Sequence, residues 1–556
     1  MTKNAIPYHT LTAVFLALFT IQFAQAQTTP VWQPYDETAE LATLAQHANE
    51  SMRFKLLNSR VLDKNTLWAP FVDALNGFTN QRYEALKPLV LNRSVTEIQQ
   101  AISRGEFNYE ELTTFYLYRI RQIETDNTRY LNAVISLNPD AIARARQLDQ
   151  LQAQGTAVAV DSLFGIPVLL KDNIGFNGLP TTAGAFAMQD NATANAFITE
   201  RLLAQGAVIL GKANLSEWAY FFCSNCPSGY SAMGGQTLNP YGRFEFSTGG
   251  SSAGSGAAVA ADYATIAVGS ETSGSILSPS SANSLVGLKP STGSLSRTGI
   301  VPISATLDTA GPMARTVADV VILFNAMAGF DDMDTAMPML SADYQLQYRT
   351  VSLAGKRLGV LANLADNPHY QAAVDLLEAN GATLVPVELT SGPFPRFSEF
   401  LGAEMRRDLA NYLTNFAQAN VPIDSISALQ AFNLQDLSLR APYGQALMDM
   451  MAEGQWTTAE LDALRSEMQT LARSQLDQLF AVNQLDVLLS VNNANAQHAA
   501  LANYPALTIP TAYEANNRPV GLTLIAPGFS EQALIDIGAT FEALRQARQP
   551  PPDYDR

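Results

Sequence analysis

Between residues 229 and 311 the chain is dense in glycine, serine and proline, yet apolar segments at residues 257–261 and 264–268 run through the same stretch. Such a composition ordinarily behaves as a flexible linker. With apolar residues threaded through it, it reads instead as a packed core, because glycine and serine let backbones approach where larger side chains would hold them apart. That argues against two independent halves joined by a tether.

The flanks alternate. Residues 165–170 and 207–210 read as strands, with a helix over 194–205 between them, and this alternation predicts an α/β sheet. Upstream, residues 95–104, 109–125 and 139–154 have helical periodicity. Helical patterns dominate 397–480, and strand signals return at 487–489, 506–509 and 521–525. A sheet drawing on both halves of the chain implies one large domain, and no repeat of solenoid period interrupts it.

The first 26 residues read as an export signal: Lys3, an apolar stretch over 11–23, then Ala24, Gln25 and Ala26 as a small-residue cleavage site. The apolar stretch is shorter than the roughly 20 residues a spanning helix needs. The expected location is therefore periplasmic or secreted, with no span in the mature chain. Residues 27–93 read as an appended helical segment, more a stabilising wrap than a gate or dimer surface, and 549–556 as a C-terminal tail. A net charge of −17 disfavours nucleic acid and anionic membranes as partners, since such a surface repels phosphate. The two cysteines, Cys223 and Cys226, suit a small local disulfide in an oxidising compartment, and they are too few for a zinc site.

Hydrolytic chemistry on a carbonyl needs a nucleophile, a base and donors for the developing oxyanion. Beyond the export signal the histidines are His47, His369 and His498, and none lies beside an obvious serine elbow. A lysine can serve as base if burial lowers its pKa. Lys171 is the candidate, because the apolar run 166–170 delivers it from the interior to a sheet edge.

Three ordered blocks, Gly249-Gly250-Ser251-Ser252-Ala253-Gly254, Gly269-Ser270-Glu271-Thr272-Ser273-Gly274-Ser275 and Gly287-Leu288-Lys289-Pro290, resemble the centre of the amidase signature family. Further matches extend the resemblance over residues 94–548, taken as the catalytic domain, and include Asp308-Thr309-Ala310-Gly311-Pro312-Met313. The resemblance implies a three-layer α/β/α fold with a large central mixed β-sheet and no metal or organic cofactor. It implies Ser275 as nucleophile, Ser251 as a relay held by a cis peptide, and Lys171 as base. Backbone amides of Thr272, Ser273, Gly274 and Ser275 would form the oxyanion hole. Departures are Ser273 for a common glycine, Leu277 for a common arginine and Glu271 for the usual aspartate. With Asn214-Leu215-Ser216-Glu217-Trp218 and Gly234-Gly235-Gln236-Thr237 they look most like the peptide-amidase branch. The expected partner is a small-molecule or peptide amide, met by a monomer or homodimer.

Competing readings are an esterase elbow at Gly250-Ser251-Ser252-Ala253-Gly254 with Ser252 as nucleophile, and a binding-only protein on the same fold. Gly206 to Lys212 nearly matches a phosphate loop, but its interior is a strand pattern and Ala213 stands at the magnesium-binding position, so Lys212 is expected to end that strand. By the resemblance to the amidase signature family, apolar residues of the 397–480 region, including Phe400, Leu401 and Tyr443, are candidates to line the acyl or leaving-group pocket, while each is individually more often core.

Overall fold

This computed structural model describes residues 1–2, 31–338, 344–389 and 394–554. The export signal read over residues 1–26 falls, from residue 3 onward, outside the described residues. Thirteen strands are described: β1 (Val134–Leu137), β2 (Pro167–Lys171), β3 (Val208–Ala213), β4 (Tyr230–Ser231), β5 (Gly235–Gln236), β6 (Ile266–Glu271), β7 (Val286–Lys289), β8 (Thr309–Ala314), β9 (Arg357–Leu361), β10 (Thr383–Val387), β11 (Val487–Val491), β12 (Ala506–Tyr513) and β13 (Pro519–Ile525). Eleven of them form one sheet in the order β1-β3-β2-β6-β8-β7-β12-β13-β11-β9-β10, and β4 and β5 make a small hairpin.

The sheet is mixed, as expected. β3, β2 and β6 run parallel, β9 lies parallel to both neighbours, and the other pairs are antiparallel. Every residue of β2, β3, β6, β7 and β8 is buried, which is why these segments read as unbroken apolar or small-residue runs rather than alternating ones. The glycine-rich centre is the packed core the composition implied. A Cβ on Gly269 of β6 would sit 2.8 Å from Met313 Sδ and 2.9 Å from Ser252 Oγ.

Helices at Val95–Ser103, Tyr109–Glu124, Ala141–Ala153 and Phe197–Ala204 fall where the periodicity put them. The first begins with a capping box between Ser94 and Glu97, and Asn108 caps the second by accepting from the Glu111 N–H at 2.8 Å. The apolar stretch at 257–261 belongs to the helix Ala253–Ala260, and 264–268 leads into β6. Between 397 and 483 lie Phe397–Asn415, Ile426–Leu434, Ala446–Glu453 and the long Thr458–Asn483, which bury a second apolar cluster together with Trp218, Phe221, Val301 and Ile303. No helix among the described residues is long and apolar enough to cross a membrane.

The segment that precedes residue 94 is wound into the body. Leu57 accepts from the Gln236 N–H at 2.8 Å and from Asn132 Nδ2 at 2.9 Å, and Lys64 forms a buried 2.9 Å ion pair with Glu124. Trp32, Phe54 and Trp68 join the main core. Residues 549–554 likewise lie against the body rather than trailing from it: Tyr241 donates to the Gln549 carbonyl at 2.6 Å, and buried Tyr554 donates to that of Arg129 at 2.7 Å.

Candidate active site

Parallel β2 and β6 are in register with Leu170 opposite Val268, so Lys171 leaves β2 beside the last residues of β6. Its side chain is fully buried, and its amine donates to Ser251 Oγ at 2.7 Å, to the Ser270 carbonyl at 2.9 Å and to Ser270 Oγ at 3.0 Å. All three acceptors are neutral. Desolvation therefore dominates and pulls the pKa down from 10.5 to about 7, against upward pulls from Asp308 and then Glu271. Near neutral pH a large share of these amines carries no proton and can accept one.

Ser251 follows a cis peptide from Gly250, and its carbonyl accepts from the Ser216 N–H at 3.0 Å. Ser252 turns the other way. Its hydroxyl donates to the Ser270 carbonyl at 3.0 Å and accepts from the Ser270 N–H at 3.2 Å, and the residue is wholly buried. A hydroxyl locked into a backbone exchange cannot be presented to a substrate, which removes the esterase elbow. Ser252 N–H also donates to the Ser275 carbonyl at 3.1 Å, tying the two serine segments together. Ser275 keeps 7 % of its surface exposed and lines a cavity of about 630 Å³, so unlike Ser252 it is open to a substrate.

Glu271, the unusual residue at the end of β6, organises the turn that carries Ser275. Its carboxylate accepts from the N–H groups of Gly274 at 2.6 Å, Ile276 at 2.7 Å and Leu277 at 3.1 Å. This corrects one expectation: the Gly274 amide is committed to a carboxylate. Of the four expected oxyanion donors, Thr272, Ser273 and Ser275 remain as candidates. Thr272 is held from below, its hydroxyl donating to Asp308 Oδ1 at 2.5 Å while Asp308 Oδ2 accepts from Ile303 and Ser304 at 2.8 and 3.0 Å. Burial pushes the Asp308 carboxyl up to about 6 despite those bonds.

Thr272 stands between two cavities. The larger holds Ser273, Gly274 and Ser275 and is walled by Phe221, Phe397, Leu401 and Leu447. A smaller one of about 270 Å³ lies behind, bounded by Asn173, Ser270, Arg297, Asp308 and Asp408. Of the residues expected to line the pocket from the helical region, Leu401 does. Phe400 is core, and Tyr443 is used elsewhere, accepting from the Lys55 N–H at 2.7 Å and packing edge-on to Tyr230.

Ser270, Asn173, Glu271 and Asp308 were not singled out as site residues by sequence reasoning. Only the two acids left a signal, each a carboxylate inside an otherwise small or apolar motif. His498 packs edge-on against Phe394, and His47 and His369 likewise lie outside the cavity walls. Lys212 is not at a strand end but inside β3, buried, with Asp172 at 3.8 Å. Cys223 and Cys226 form a disulfide with Cα atoms 5.6 Å apart. Among the described residues no group of three or more histidines, cysteines or acids is arranged to hold a metal.

A family model described as Amidase matches residues 111–535. A protein of Arabidopsis thaliana named "Probable amidase" is 34% identical over 474 residues, covering 82% of this chain and 91% of its own. Among solved structures, an amidase family protein from Bacillus anthracis superposes with a TM-score of 0.84 at 37% identity, covering 89% of this chain and 99% of that one. The native peptide amidase from Stenotrophomonas maltophilia superposes at 0.76 with 37% identity, covering 83% and 98%. Fold and relatives together define an amidohydrolase. The chain belongs to the amidase signature family.

Proposed function

We propose that this protein hydrolyses a carboxamide through an acyl-serine intermediate, with Ser275 as nucleophile, Ser251 as proton relay and Lys171 as base. The observation that carries the reading is the 2.7 Å bond from a fully buried Lys171, its pKa lowered to about 7, to the Ser251 hydroxyl. As Ser275 Oγ attacks the carbonyl carbon, its proton passes to Ser251 Oγ while the Ser251 proton passes to the neutral amine of Lys171. The negative charge that develops on the carbonyl oxygen is met by backbone amides among Thr272, Ser273 and Ser275. Reversal of the relay protonates the departing nitrogen, the C–N bond breaks, and an ester to Ser275 remains. Water activated by the same relay then frees the acid and restores the serine.

The substrate class is a peptide C-terminal amide or another small acyl or aryl amide, a reading supported by the peptide-amidase neighbour. The protein acts after export as a monomer or homodimer; the charge and apolar pattern of residues 1–26 and the Cys223–Cys226 pair support the export.

The test is mass spectrometry after exposure to an activated serine probe, beside turnover of a panel of amides. Labelling at Ser275, with label and turnover both lost in Ser275→Ala, is the expected result. Labelling at another serine, or wild-type turnover in Ser275→Ala, overturns it.

A further inference from the structure

The segment between Ser216 and Gly229 forms a closed loop. The Gly229 N–H donates to Ser216 Oγ at 2.8 Å, and the Ser216 N–H donates to the Ser251 carbonyl, so the base of the loop is tied to the residue that faces Lys171. Inside the loop Trp218, Ala219 and Tyr220 have φ values of 51°, 55° and 79°, three successive left-handed residues without a glycine. A chain rarely holds that conformation unless its surroundings impose it. The buried Trp218 N–H donates to the Ala183 carbonyl at 2.9 Å, and the buried Glu217 carboxyl accepts from the Ala232 N–H at 2.8 Å. The Cys223–Cys226 disulfide closes the far end.

The left-handed turn directs this loop into the site. Ala219, Tyr220, Phe221, Cys223 and Ser224 border the same cavity as Ser275, with Phe397, Leu401 and Leu447 among its other walls. No Asp, Glu, Lys or Arg side chain is in that lining. A charged acyl group placed there would find only neutral hydroxyls and amides, such as Ser224, Ser398, Asn493 and Gln497, and no opposite charge to offset its lost water, whereas an apolar one would be sheltered by Phe221, Phe397, Leu401 and Leu447.

We propose that the 217–228 loop selects the acyl part of the substrate, admitting a neutral aromatic or branched apolar side chain next to the scissile carbonyl. This rests on the assignment of Ser275 as nucleophile. The disulfide is what keeps the loop against that side chain. Cys226 itself is not in the lining, so breaking the bond from that side slackens the wall and leaves every cavity residue in place.

The experiment uses one leaving group, ammonia, and varies the acyl side chain: N-acetyl amides of glycine, leucine, phenylalanine and glutamate. The wild-type enzyme should show a kcat/KM at least tenfold higher for the leucine or phenylalanine amide than for the glycine amide, and lowest for glutamate. In Cys226→Ser the KM for the two apolar substrates should rise about tenfold while kcat for the glycine amide stays within twofold. Dithiothreitol should do the same to the folded wild type and nothing further to the variant, which keeps the test open should Cys226→Ser fold poorly. An equal loss on all four substrates, an unchanged preference, or a wild type indifferent to the side chain overturns the role of the loop. Those outcomes, with Ser275→Ala inactive, leave the nucleophile assignment standing; turnover that survives Ser275→Ala defeats that assignment instead.

Discussion

Two lysines lie fully buried on neighbouring parallel strands, and their surroundings differ. Lys171 ends β2 opposite Ala213 of β3, and Lys212 lies one residue earlier, opposite Leu170. Burial is the leading cause of a lowered pKa in both, to about 7 and about 8 respectively. Lys212 donates to the Ile174 carbonyl at 2.5 Å and to Thr181 Oγ1 at 3.1 Å, with Asp172 at 3.8 Å. Asp172 is itself pushed upward, because burial disfavours its charge as well. Lys171 contacts no carboxylate, and its nearest acceptor is a hydroxyl. Desolvation alone therefore does not make a base. Both amines face a hydroxyl, Ser251 Oγ for Lys171 and Thr181 Oγ1 for Lys212; what separates them is the Asp172 carboxylate, 3.8 Å from Lys212.

The largest effect that sharpens this contrast is on activity. Lys171→Met should lower kcat by about a thousandfold, the usual scale for losing a general base, with folding intact by circular dichroism. Lys212→Met should act on stability instead, by about 3 to 5 kcal/mol in chemical denaturation because it strands Asp172, while the folded fraction keeps kcat within a few-fold. Adding Asp172→Asn should recover much of that loss. If Lys212→Met proves as inactive as Lys171→Met while folded, the contrast fails.

The pH profile comes next. Protonated Lys171 cannot accept a proton, so kcat/KM should fall about tenfold per pH unit below about 7 and level off above it. A profile flat from about pH 5 to 9 breaks the assignment. The smallest effect concerns the disulfide: its four-residue ring constrains little of the unfolded chain, so reduction should cost about 2 kcal/mol and lower the melting temperature by about 2 °C.

Much of this was readable before any fold was known. The helices over residues 95–154 and 194–205 carry their own periodicity, and the first two their own caps at Ser94 and Asn108, so local energetics place them within a few residues. Among the strands that escaped notice, β1, β6 and β8 sit inside or beside other motifs, while β9 and β7 owe their state in part to β11 and β12, partners distant in the chain. Lys171, Ser251 and Ser275 were visible because their motifs are ordered and closely spaced. Asp308 was visible only as part of a motif; its bonds to Thr272, Ile303 and Ser304 exist only in the fold.

Sequence by itself determined the α/β alternation and the close-packed glycine and serine core, since each follows from residue type and local spacing, while Lys171, Ser251 and Ser275 became a set of candidates through their motifs' resemblance to the amidase signature family. Tertiary structure decided which buried lysine has a carboxylate beside it and which has only neutral acceptors, that Glu271 takes the Gly274 amide, and that a disulfide loop walls the cavity. These are matters of distance between segments remote in the chain, and hydrogen bonding and desolvation act on distance in space, which residue order alone does not encode.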